Sequence, residues 1–155
     1  MLQPLQIRSR RVKIQTPEVV QLALPARYTY LHLLRECIAD MLQLVEDVVE
    51  LEMLIQGIQL AVHEACTNII NHAYQHKTSE IIHITLTLHF DHPRLVVELL
   101  DQGHPFHAEN YTPPNLEEMQ TGGYGLFLIN KLMDTVTYTS QPGRNEWCLV
   151  KHVTA

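Results

Sequence analysis

Residues 63–74 read HEACTNIINHAY, an apolar helical pattern interrupted by Glu64 and Asn68. Positions four apart lie on the same face of an α-helix, one turn from each other. The carboxylate and the amide therefore point the same way, among Val62, Ala65, Ile69 and Ala73. Polar groups buried without partners cost free energy, so this face is either a solvated edge or the floor of a site. The chain on both sides has to decide.

Working outward, the helical period runs from roughly 48 to 75, with a break expected near Gly57 because glycine is a weak helix former. Before it, Leu31, Leu34, Ile38, Leu42 and Val45 keep helical spacing, and 19–24 (VVQLAL) reads as a short strand closed by Pro25. After it the period changes to two. Residues 80–90 (EIIHITLTLHF) and 94–100 (RLVVELL) form an antiparallel hairpin around DHP. From Asp101 to Gly125 the chain is polar and irregular, a length more often a lid or binding loop than a plain connection. Residues 126–133 are helical, and 135–140 with 146–153 make a second hairpin around PGRN. The order is β-α-α-ββ-lid-α-ββ. It predicts an α+β fold: one mixed, mostly antiparallel sheet with helices on one face. With no repeat and no linker, 1–155 reads as a single domain, with 1–18 as an N-terminal extension and 102–124 as the lid.

Composition limits the function classes. A chain of 155 residues is of single-domain size, and 46% hydrophobic with 18% charged residues is ordinary for a globular protein. The formal charge of −6 argues against nucleic acid or an anionic membrane as the main partner. Arg8, Arg10, Arg11 and Lys13 form a local exception, read as a solvated tail. No apolar run is long enough to span a bilayer, and the start lacks a signal-peptide core. Cys37, Cys66 and Cys148 sit in apolar surroundings, which fits reduced thiols of a cytoplasmic protein. His63-Glu64 lacks the second histidine of a zinc-binding H-E-x-x-H, since position 67 is threonine.

Three features gather around the lid. Asn68 offers a side-chain carbonyl oxygen, a suitable hard ligand for Mg²⁺, and Glu64 can orient or deprotonate a hydroxyl. Asp101 ends an apolar strand in DQGHPF. It either caps a turn or accepts a hydrogen bond from an adenine amino group in a pocket walled by Leu99, Leu100 and Phe106. Gly122, Gly123 and Gly125 of TGGYGLFLI open the last helix, and are either a simple turn or a phosphate cradle on a helix N-terminus.

Taken in this order, HEACTNIINHAY, DQGHPF and GGYGLFLINKLMDTVTY resemble the anti-sigma-factor serine kinases of bacteria. That group lies within the ATPase superfamily of histidine kinases, DNA gyrase and heat-shock chaperones. The likeness spans about Val19 to Val153. It implies the Bergerat two-layer α/β sandwich with ATP beneath the lid. By position, Asn68 would bind Mg²⁺, Asp101 the adenine amino group, and Glu64 would be the general base. Gly103, Gly122, Gly123, Gly125 and Leu126 would shape the lid and phosphate contacts. Cys148 falls where relatives usually carry a threonine that helps hold adenine. Thr121 stands where such kinases often have an arginine, and His107 where an aspartate is usual. No lysine or arginine occurs from Gly103 to Gly125. The resemblance further implies phosphorylation of a serine on an anti-anti-sigma partner, sequestration of a sigma factor, and a homodimer. The missing lid cations leave a second expectation: a non-catalytic module that regulates a partner through nucleotide-dependent affinity.

Overall fold

A computed structural model describes residues 16–107, 111–115, 117 and 123–153. Gly122, Thr121 and the basic cluster from Arg8 to Lys13 lie outside the described residues. Strand β1 (Glu18–Pro25) leads through a single 3-10 turn (Tyr28–Tyr30) into helix α1 (Leu31–Leu42) and then α2 (Leu51–Asn68). Strands β2 (Ile81–His89) and β3 (Arg94–Asp101) follow, then helix α3 (Gly125–Leu132) and strands β4 (Thr135–Gln141) and β5 (Arg144–His152).

The sheet order is β1-β2-β3-β5-β4. The two helices separate β1 from β2, which pair antiparallel. Every other pairing is antiparallel as well, making the sheet more uniform than the mixed arrangement expected from sequence. Alternation assigns the faces. Ile82, Ile84, Leu86 and Leu88 of β2 are buried, with Leu95, Val97 and Leu99 of β3 and Trp147 and Leu149 of β5. They pack against Leu34, Ile38 and Leu42 of α1 and Ile58, Ala61, Val62 and Ala65 of α2. The opposite face carries Gln21, Thr85, Glu98, Cys148 and Thr137 in one cross-strand row. The molecule is a two-layer sandwich with its core on one side of the sheet.

Two expectations about α2 are refined. The helix runs unbroken through Gly57, where an added Cβ would meet Leu132 Cδ2 of α3 at 3.6 Å, an ordinary packing distance. The irregularity falls instead at the far end. Residues Ile69–Ala73 form a π-helical turn, with the Tyr74 amide donating to the Ile69 carbonyl at 2.8 Å. Such widened turns recur at functional sites. The second hairpin also turns more tightly than PGRN suggested. Ser140 pairs with Asn145 and Gln141 with Arg144, leaving Pro142 and Gly143 as the turn, with Gly143 at φ 73°.

Leu86 is fully buried at the centre of the sheet. Replacement by alanine should cost about 2–5 kcal/mol, the range for large-to-small changes in a core. Urea unfolding checks this: the midpoint should fall while the denaturant slope is unchanged.

Candidate nucleotide-binding site

A cavity of about 450 Å³ opens at the end of the sheet where β3 finishes. Its lining includes Glu64, Thr67, Asn68, His72, Asp101, His104, Gly123, Gly125, Leu126, Tyr138 and Trp147. The helix face singled out by HEACTNIINHAY is therefore the floor of a site.

Asp101 is 1% exposed. Its Oδ1 accepts hydrogen bonds from the Gly103 amide at 2.9 Å and from Asn145 Nδ2 at 2.8 Å. Its Oδ2 is buried and accepts none from the described residues. Burial pushes the Asp101 carboxyl above the usual carboxylate range, opposed by the hydrogen bonds from Asn145 and Gly103. Asn145 is itself 2% exposed, and its amide is fully used. Besides Asp101, its Nδ2 donates to the Gly103 carbonyl at 2.9 Å, and its Oδ1 accepts from Ser140 Oγ at 2.7 Å. Thr67, another residue of the lining, likewise has a buried Oγ1 that bonds none of the described residues. Buried polar atoms are almost always hydrogen-bonded. Two orphans in one cavity point to a polar ligand.

Close backbone approach explains two of the glycines. A Cβ on Gly103 would lie 2.3 Å from the Ala73 carbonyl oxygen, a steric overlap no side chain can relieve. The adjacent His104 amide donates to that same carbonyl at 2.8 Å, seating the segment after β3 on the π-helical turn. A Cβ on Gly125 would lie 2.9 Å from Glu64 Oε2 and 3.6 Å from Asn68 Oδ1. The start of α3 thus presses on the two polar side chains of α2. Gly123 takes φ 80°, the left-handed region that favours glycine.

Aromatic side chains close the other wall. Tyr138 and Trp147 pack with their rings tilted 53° and centroids 4.8 Å apart, and Phe106 meets each at 5.7 Å. The Phe106 amide donates to Tyr138 Oη at 2.7 Å. Tyr74 Oη donates to the Ile81 carbonyl at 2.7 Å and accepts from the Gln102 amide at 3.0 Å, fixing the end of β3 from below.

The structure brings together Glu64, Asn68, Asp101, Gly123, Gly125 and Leu126 around this cavity; Gly103 does not line it but bonds Asp101 through its amide. Cys148 is not among them. It lies on the sheet face away from the helices, opposite Glu98 and Thr137. Of the three expected walls, Phe106 lines the cavity, Leu99 is in the core, and Leu100 faces the other side. Asn145 and the Tyr138–Trp147 pair were missed from sequence. The alternation of Trp147 and Leu149 on the inner face would have placed Asn145 inside and Cys148 outside.

Because the folded state raises the Asp101 pKa above its ordinary 3.8, the native protein binds extra protons just above that pH. Stability contributed by this group therefore falls as pH rises from 3.8 through the raised value, then levels off. Asp101→Asn, which keeps both Oδ1 hydrogen bonds, should be more stable than the wild type near neutral pH. The gain should shrink as pH drops below 3.8. Thermal unfolding across that range measures it.

A family model described as the histidine kinase-like ATPase domain matches residues 24–151. Among curated proteins, a serine-protein kinase RsbW from Halalkalibacterium halodurans is 29% identical over 143 residues, covering 85% of this chain and 82% of the relative. One from Staphylococcus epidermidis is 32% identical over 140 residues and covers 83% of each. Among solved structures, the RsbU and RsbW domains of a Mycobacterium tuberculosis protein align over 88% of this chain and 32% of that one, at TM-score 0.61 and 16% identity. The histidine kinase domain of a blue-light activated histidine kinase from Erythrobacter litoralis aligns over 84% and 62%, at TM-score 0.53 and 17% identity. The two structures carry the fold alone, and this chain spans only part of each. The family match and the Staphylococcus relative carry more: the chain belongs to the histidine kinase-like ATPase domain family, in the branch that holds the RsbW serine-protein kinases.

Proposed function

We propose that the chain is an ATP- and Mg²⁺-dependent serine kinase that phosphorylates an anti-anti-sigma partner and otherwise sequesters a sigma factor. The observation that carries the nucleotide half is the orphaned Asp101 Oδ2 in a cavity walled by aromatic rings. An ionised acceptor beside apolar walls suits the exocyclic amine of adenine. The kinase half rests on kinship with the RsbW proteins.

In this reading adenine lies against Asp101 and the Tyr138–Trp147 wall, and the triphosphate extends toward the start of α3. Amides at a helix N-terminus, with no side chain at Gly125 to screen them, favour phosphate there. Among the described residues the cavity lining contains no lysine or arginine, which leaves charge neutralisation to a metal ion. The donor set fits Mg²⁺. Asn68 Oδ1 is a hard oxygen beside the phosphate end, and Mg²⁺ is usually held by one or two protein oxygens, waters and phosphates. When bound, the ion would offset phosphate charge.

Glu64 supplies the proton acceptor. As the serine oxygen forms its bond to the γ-phosphorus, the bond from that phosphorus to the β–γ bridging oxygen breaks and ADP departs. The serine proton passes to the Glu64 carboxylate, and positioning accounts for most of the rate. Residues 102–124 act as the lid of a single functional domain. The active form is a cytoplasmic homodimer, as the resemblance implies, which sedimentation would read directly.

Transfer of label from γ-labelled ATP to a purified anti-anti-sigma protein tests the activity. Glu64→Ala should lower transfer by about 10²–10⁴-fold, the usual weight of a general base, with nucleotide affinity unchanged. Equal transfer by that variant rejects Glu64 as the base. Calorimetric ATP binding by the wild type with no transfer to any such partner would leave a binding module that acts by affinity alone. Asn68→Ala should remove the Mg²⁺ dependence of ATP affinity, read by titrating nucleotide with and without the metal.

A further inference from the structure

Ser140, Asn145 and Asp101 stand side by side in one cross-strand row, on β4, β5 and β3. Their side chains form a directed chain of hydrogen bonds. Ser140 Oγ donates to Asn145 Oδ1 at 2.7 Å, and Asn145 Nδ2 donates to Asp101 Oδ1 at 2.8 Å. The same Nδ2 donates to the Gly103 carbonyl at 2.9 Å. These partners fix which way the amide points. Turned over, Asn145 would set its own oxygen against two acceptors, the Asp101 carboxylate and the Gly103 carbonyl, with no donor between them.

A primary amide has two N–H donors, and both are committed here. One goes to the carboxylate that lines the cavity, the other to the backbone just after β3. Asp101 Oδ1 also receives the Gly103 amide at 2.9 Å. With Oδ1 saturated by N–H groups, Oδ2, which bonds none of the described residues, is the oxygen left to meet a ligand. Burial pushes the Asp101 carboxyl up, and the bond from Asn145 is foremost among those that pull it down. The amide thus favours the ionised carboxylate, which only accepts. Asn145 itself is 2% exposed and lies behind the cavity lining, so any effect on a ligand passes through Asp101.

Resting on the reading of Asp101 Oδ2 as the acceptor for the base amine, we propose that Asn145 is a positioning residue that makes the cavity select a 6-amino purine. Ser140 sets the direction of its amide. An acceptor held at one angle rewards a ligand that brings an N–H to it. Without Asn145 the carboxylate keeps only the Gly103 bond, its plane is free to turn, and that reward is lost.

Titration of the full chain with ATP and with purine riboside triphosphate, which lacks the 6-amino group, at fixed Mg²⁺ separates positioning from support. The wild type should favour ATP by about 10–100-fold, the weight of one hydrogen bond to a charged group. Asn145→Leu keeps the branched outline of the side chain and deletes the amide. It should cut the preference to within about threefold while binding the purine analogue as the wild type does. An affinity loss shared equally by both ligands marks a structural role and overturns the proposal, as does an undiminished preference. A wild type that binds both ligands equally overturns the reading of Asp101 itself, and the proposal with it. In ¹⁵N-labelled wild type, where no substitution can disturb folding, the Asn145 side-chain amide signal should shift further with ATP than with the analogue. Equal shifts with the two ligands overturn the proposal.

Discussion

Asp101 carries a buried carboxylate with one oxygen bonded twice and the other bonded to none of the described residues. Burying such a charge is expensive unless partners compensate, and here the compensation is lopsided. Asn145 and the Gly103 amide hold Oδ1 and fix the plane of the carboxylate, which leaves Oδ2 directed by the same geometry. A group held this firmly and satisfied only halfway is arranged for a ligand rather than for stability. Strand pairing maintains it, because Asp101 and Asn145 are register partners on β3 and β5.

The same neighbourhood ties the helical layer to the segment that follows β3. Gly103 touches Ala73 at the end of the π-helical turn, and Gly125 touches Glu64 and Asn68 on α2. The first depends on the absence of a Cβ, which would overlap the Ala73 backbone. The segment between β3 and α3 is therefore anchored at each end on the helix that bears the proposed base and metal ligand.

Much of this was legible in the sequence. The change of period from helical to alternating located the strands, and the order of E-x-x-x-N, D-x-G and GGxG located the cavity. Side-chain direction was harder. Reading PGRN as a four-residue turn hid Asn145 in a loop, and assigning Cys148 by likeness ignored that Trp147 and Leu149 already fill the inner face. Local spacing also gave no hint that α2 faces Leu132 of α3 at Gly57, since that partner lies far along the chain. Long-range pairings, such as Asn145 with Asp101, arise from strand register that no short motif encodes.

The central claim is that Asp101 Oδ2 reads the amino group of adenine. Calorimetric titration of the wild type and Asp101→Asn with ATP and with GTP, at fixed Mg²⁺, tests it most directly. Guanine offers a carbonyl where adenine offers the amine, so the wild type should prefer ATP by at least about 10²-fold, since a site built around a hydrogen bond rejects ligands that leave it unpaired. The preference should collapse in the variant. Equal binding of ATP and GTP by the wild type, or an undiminished preference in Asp101→Asn, would contradict the account.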